Sequence, residues 1–465
     1  MFQSFLNIFK VPELRNKVLF TLFLLAIYRI GFWVPLPGVD QSVLKEQQSK
    51  QQQGDTSAAG RIANYISIFS GGSLGQSTVF GLGVMPYISA SIIFQLLGTV
   101  VPSLEKLQKE GQTGQKKIQE WTRYVTVPLC IMQAIIWINY MQGTRAPGGK
   151  GIVMGGFLHD HPIGFWISGI TLLTSGCIFL MWLGEQIDEY GLGNGVSLII
   201  LAGIVARMPN AIQRLVQQTN FRAVADPLRT ITIGKVFTLL FLFIFIIMGS
   251  ILITQAQRRI PVQQAKQTRG RRVYGGGKNF LPLRVNHGGV MPIIFAQSLM
   301  LFPGVALGKL AEWFPGNSVI GFLNPKMRSG DFLNVILELA MIYFFAYFWT
   351  TVQFQPKEMA TQLRDYGSFI PGLRPGKRTA DYLEKVMMRI TYVGGAFLCI
   401  IAVIPTVITA SLGIDQTITA FLGGTGLLIV VSVALDMVQR IEANLLMRNY
   451  GGFLGGQKRI KGRAA

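Results

Sequence analysis

The sequence predicts an all-α polytopic membrane protein, and three observations carry that prediction. Hydrophobic residues make up 50% of the chain against 14% charged, ten apolar runs recur along it, and one short motif opens two of those runs. A soluble domain carries about 25% charged residues, whereas the mean hydropathy here is +0.41. Lipid offers backbone N–H and C=O groups no partner, so each run of about 20 residues must satisfy its own as a helix.

The first run, 18–34, is too long for the core of a signal peptide and lacks a small-residue cleavage pattern, so it reads as a span. The Gln-rich stretch 45–60 follows, then Ile62 to Phe69 with Gly71, Gly72 and Gly75, too short to cross. That piece reads either as a short helix folded back into the protein or as an interfacial segment. Runs at 84–101, 124–141, 165–183 and 196–212 complete a first half, the last weakened by Arg207 and Pro209. A second half holds 236–254, 289–307, 332–354, 386–408 and 421–438.

Gly83-Val84-Met85-Pro86 and Gly289-Val290-Met291-Pro292 open one run in each half. Paired interruptions of this kind mark a duplicated membrane fold with a shared path between the repeats. Each proline removes a backbone donor, so both helices are expected to be broken there and to line a cavity. Val84 and Ile88 are four apart, as are Val196 and Ile200, so each pair shares one helix face. Spacing alone makes those faces ordinary core or lipid contacts.

Segment 255–286 carries Arg258, Arg259, Lys266, Arg269, Arg271, Arg272, Lys278 and Arg284 with no acidic residue. Loops this basic stay cytoplasmic, and an even number of spans then puts both termini on that side. Loop 213–235 dissents with Arg214, Arg222 and Arg229. The net charge of +21 suits attraction to anionic lipid and to phosphate-bearing partners in general. Cys130, Cys177 and Cys399 lie in apolar runs without metal or redox spacing and read as packing or lipid-facing residues.

Neither HExxH nor a phosphate-binding GxxxxGK[ST] occurs, so neither catalysis nor a nucleotide or other cofactor is expected. His159-Asp160-His161 reads as a solvated turn rather than a metal clip. A secondary transporter would place ionisable residues at the bilayer midplane, but Arg29, Glu338, Arg389 and Asp436 sit toward span ends. An intramembrane enzyme would need a nucleophile, metal or acid pair inside the spans, and none is visible.

Longer motifs decide among these classes. The stretches GVMPYISASIIFQ (83–95), GLGNGVS (191–197), QRRI (257–260), LPLRVNHGGVMPIIF (281–295), FIPGLRPGKRT (369–379) and GGTGLLIV (423–430) resemble those of the SecY family, in the family's order. The first outer loop and the one at 142–164 are longer than the family pattern.

The resemblance implies ten helices in two pseudo-symmetric five-helix halves, 1–212 and 213–445, with cytoplasmic loops 255–286 and 355–385 and a basic tail, 446–465. It implies a re-entrant plug near 62–75 and an apolar pore ring of Val84, Ile88, Val196, Ile200, Ile294 and Ile429. A lateral gate between the second and seventh spans would carry Ser89, Gln95, Gln297 and Ser298. Arg258, Arg259 and Arg374 match partner-docking positions. The implied function is a protein-conducting channel of the bacterial inner membrane, working with SecE and SecG, driven by the SecA ATPase or a ribosome. It would pass secretory polypeptides across and release signal sequences and membrane segments into lipid.

Overall fold

The computed structural model describes residues 12–42, 77–143, 153, 162–219, 232–264, 267–269, 272–274, 278–314, 318–327, 331–412 and 424–455. The expected plug at 62–75 and His159-Asp160-His161 lie outside the described residues. The first half contains α1 (Pro12–Gly31), α2 (Met85–Val100), α3 (Pro102–Lys109), α4 (Gln112–Gly143), α5 (Pro162–Tyr190), α6 (Gly195–Val205) and α7 (Met208–Gln218). The second begins with α8 (Ile233–Gln255) and strands β1 (Gln257–Gln264), β2 (Gln267–Arg269), β3 (Arg272–Tyr274) and β4 (Lys278–Arg284). It continues with α9 (Met291–Trp313), α10 (Ser318–Lys326), α11 (Phe332–Gln353), α12 (Pro356–Asp365), β5 (Ser368–Phe369), α13 (Lys377–Leu412) and α14 (Thr425–Gly455).

A helix falls on every apolar run read from the sequence. Among the described residues, 6 helical segments are long and apolar enough to cross a membrane, or 7 if α2 and α3, bent by 103°, count as one. Within the weak run at 196–212, the helix stops after Val205 and restarts at Met208. Pro209 lies in the first turn of α7, where its missing N–H is no loss.

The expectation of two broken helices is corrected in the same way. Gly83 and Gly289 both have φ of 59°, and Val84 and Val290 follow with φ of −94° and −92°. That left-handed glycine turns the chain, and Pro86 and Pro292 then sit in the first turn of α2 and α9. The two prolines therefore start helices rather than interrupt them. Beyond the first turn, proline occurs in the described helices at Pro128, Pro303, Pro325 and Pro405.

Outside the bundle the all-α expectation needs an addition. β1 and β4 form an antiparallel hairpin running from Gln257 opposite Arg284 to Gln263 opposite Lys278. The short β5, from the later loop, adds to the free edge of β1 at Gln263 and Gln264. Alternation explains the strand from Arg259 to Val262: Ile260 and Val262 are buried against Leu283, Ile370, Leu383 and Val386, Arg259 and Pro261 face out, and Arg258 is exposed at the strand's start. The two basic loops are thus one platform resting on the start of α13.

Within the halves, α2 packs along α4, α4 along α5, α9 along α11 and α11 along α13. Between them, α6 packs against α14. All three cysteines are buried, which places them in packing rather than against lipid.

Small residues set a tight approach in the first half. The N–H of Gly195 donates to Asp188 Oδ1 at 2.7 Å, and Asn194 Oδ1 accepts from the Ser197 N–H at 2.9 Å, capping α6. A Cβ on Gly195 would overlap the carbonyl oxygen of Gly184, which is backbone and cannot swing aside. Gly195→Ala is therefore expected to push α6 off α5 and destabilise the protein by about 1–3 kcal/mol. A thermal scan in detergent reads this as a lower Tm, and an unchanged Tm contradicts the packing.

Candidate functional site

The six residues of the expected ring come from four helices in both halves, and the fold brings them to one place. Val84, Ile88, Ile200, Ile294 and Ile429 belong to a single buried cluster, and Val196 packs against it half-buried. Ile88 and Ile294 occupy equivalent places in the repeat: Ile88 N–H donates to Val84 O, and Ile294 N–H to Val290 O. On α6, the loop Gly191-Leu192-Gly193-Asn194 positions Val196 and Ile200. Gly193 takes a φ of 99°, and the Leu192 N–H donates to Thr21 Oγ1 of α1 at 3.1 Å.

Above this cluster opens a cavity of about 1110 Å³. Ile88, Val196, Ile200, Ile294 and Ile429 line it, while Val84, 1% exposed, lies behind them. The rest of the wall is rich in polar groups and includes Gln95, Glu105, Asp188, Arg284, Asn286 and Asp436. Asp436 is held by Arg440 at 2.9 Å along the same helix. A narrow aliphatic ring beside a polar-walled cavity is an arrangement that water leaves readily, which resists ions.

The turn from β4 to α9 forms one side of the mouth. Val285 N–H donates to Ala256 O at 2.9 Å, tying the turn to the start of β1. The Gln353 amide accepts from Trp349 Nε1 and donates to the His287 carbonyl at 3.2 Å. Burial and the neighbouring Arg284 guanidinium hold the His287 pKa below the usual imidazole value, so the ring is neutral at pH 7.

The expected gate residues are less unified. Ser89 is half-buried on α2, and the Ser298 side chain lies outside the described residues. Gln297 Nε2 donates to Glu338 Oε1 of α11 at 3.3 Å, inside its own half. Gln95 Oε1 is buried without a hydrogen-bond partner. Besides Ile88 in the central cluster, α2 reaches the second half's core through Ile92, which packs on the cluster containing Ile293 and Phe295.

Arg258, Arg259 and Arg374 lie on the sheet platform, all three exposed, Arg374 at the adjoining turn. Gly372 at φ 85° and Gly376 at φ 113° shape the turn that presents Arg374, and Thr379 Oγ1 donates to its carbonyl at 3.0 Å. None of the three arginines makes an ion pair among the described residues. Sequence reasoning missed both the Gln297–Glu338 pair and the unpaired polar atoms in the mouth, since neither follows from motif or periodicity.

The model of the family described as SecY matches residues 78–438. Protein translocase subunit SecY of Thermotoga maritima is 37% identical over 463 residues, covering 100% of both chains. Its counterpart in Thermus thermophilus is 40% identical, again over 100% of each. Among solved structures, one described as the structure of a protein conducting channel is 17% identical with a TM-score of 0.61, covering 94% of this chain and 93% of its own. Sec61 in the canine ribosome-channel complex is 16% identical with a TM-score of 0.58 over 94% and 93% of the two chains. The fold is that of these channels, and the chain belongs to the SecY family.

Proposed function

We propose that this protein is the central channel subunit of a bacterial inner-membrane translocase. In this reading it passes unfolded secretory polypeptides across the membrane and releases hydrophobic segments sideways into lipid. One observation carries it: residues from both halves converge on one aliphatic cluster at the base of a large polar-walled funnel. The name protein translocase subunit SecY, carried by full-length relatives, supports the same reading. The channel acts as a conduit and not as an enzyme.

In this account all ten helical runs cross the membrane, as halves 1–212 and 213–445, with the tail 446–465 and both termini cytoplasmic. The platform of loops 255–286 and 355–385 then faces the cytoplasm, and segment 62–75 plugs the outer side. Helices α2 and α9 form the lateral gate, with Ser89, Gln95, Gln297 and Ser298 along it. The gate needs little work to open, because each helix packs mainly within its own half. Polar contacts between membrane helices are worth only about 1 kcal/mol. A hydrophobic signal helix that replaces them is thus a sufficient key.

Force comes from outside the chain. Arg258, Arg259 and Arg374 dock SecA or a ribosome, and SecE and SecG complete the membrane complex. Three exposed guanidinium groups without ion-pair partners among the described residues, on a sheet and its adjoining turn, suit carboxylate or phosphate groups.

Two outcomes follow for the reconstituted complex. Ile200→Asn with Ile294→Asn removes apolar burial worth about 1.5–3 kcal/mol at each position of the closed ring. The idle channel should then open roughly tenfold or more often in planar-bilayer recordings. Preprotein entry into vesicles should persist without small-solute uptake. An idle conductance equal to that of the unaltered complex, or proton-coupled solute uptake, contradicts the channel reading. Arg258→Glu with Arg374→Glu should weaken ribosome docking and lower the slope of log K against log salt by roughly 0.7–0.9 for each phosphate no longer neutralised. Docking with the original salt slope would remove these arginines from the interface.

A further inference from the structure

Four side-chain polar atoms belonging to residues that line the funnel are buried without a hydrogen-bond partner. They are Gln95 Oε1 on α2, Asn286 Nδ2 and His287 Nδ1 on the turn before α9, and Ser432 Oγ on α14. Asn286 is only 9% exposed. Unpaired polar atoms in a buried setting cost about 1–3 kcal/mol each. Such a concentration at one cavity therefore points to something that satisfies them in use.

Their position relative to the apolar ring is consistent. At 1.5 Å per helical residue, Gln95 stands about 10 Å beyond Ile88 and Ser432 about 4.5 Å beyond Ile429, both toward the same mouth. Asn286 and His287 precede Ile294 on that side as well. The four thus surround the last stretch before the ring. They also offer both senses of hydrogen bond: Nδ2 donates, Oε1 accepts, a hydroxyl does either, and a neutral imidazole nitrogen does one or the other.

We propose that Gln95, Asn286, His287 and Ser432 form a hydrogen-bonding collar that takes the main-chain groups of an extended polypeptide as it enters the apolar ring. A chain entering a dry aliphatic constriction must shed the water bound to each N–H and C=O, which is costly without replacement. Donors and acceptors set just before the ring replace that water group by group. They read only the backbone, so they suit substrates of any sequence. The inference rests on the channel reading and adds residues that the ring itself does not need.

The test uses the full reconstituted complex, a motor, and two preproteins that differ in one stretch, Ala-rich in one and Pro-rich in the other. Gln95→Met with Ser432→Ala removes two collar atoms that have no partner in the resting protein, so Tm should hold or rise. Passage of the Ala-rich stretch should slow about tenfold. The Pro-rich stretch, which lacks N–H groups for Gln95 Oε1, should slow much less. Equal rates for variant and unaltered complex on both substrates overturn the collar, as does equal slowing on both. Ser432→Ala alone, which deletes a single oxygen, gives the same decision if the double variant fails to fold. If the unaltered complex passes neither preprotein, the channel reading falls and takes the collar with it.

Discussion

The structure depends on one apolar contact between its halves. Ile294 of α9 and Ile429 of α14 pack onto Val84, Ile88 and Ile200 of the first half, in a cluster that also includes Leu24, Tyr28 and Leu183. A lipid environment supplies no hydrophobic drive between helices, so close packing and small residues hold the rest. Here the close approach of α5 and α6 rests on Gly184 and Gly195. The central cluster is different because one side of it faces an open cavity rather than lipid. In the proposed channel the same side chains would both close the path and define its width.

The repeat that opens α2 and α9 makes this arrangement symmetrical. The same glycine conformation and the same proline position deliver Ile88 and Ile294 to one shared cluster. Around them the polar mouth and the sheet platform are continuous through the backbone: β4 leads directly into the turn at Val285, which is bonded to Ala256 at the start of the hairpin. The strand that carries the exposed Arg258 and Arg259 is thus tied to the segment that begins α9. The Gln353 amide, held between Trp349 and His287, ties that turn to α11 as well.

Much of this was legible in the sequence for a simple physical reason. Helices in lipid announce themselves as long apolar runs, and the four-residue spacing of Val84 and Ile88, or of Val196 and Ile200, marks a shared face. That the faces meet at one point comes only with the SecY-like motifs, since apolar spacing is equally compatible with lipid contact. What stayed hidden depends on contacts between distant segments. The pairing of β5 with β1 joins residues about 100 positions apart, and short strands of this kind take their stability from a partner rather than from propensity. Pro86 and Pro292 resist a reading from sequence because a proline in an apolar run looks like a kink unless the preceding glycine is known to hold a positive φ. Gln297 falls on the gate by motif, yet it bonds Glu338 of its own half.

The central claim is that a polypeptide passes through the aliphatic cluster where the two halves meet. The most direct measurement is site-specific crosslinking from Ile200 and from Ile294 to a preprotein stalled in transit, with Asp160 as an outer-loop control. The account predicts adducts at both waist positions that require a functional signal sequence. Absence of adducts at both, with the preprotein complex verifiably docked, would contradict it and place the path elsewhere.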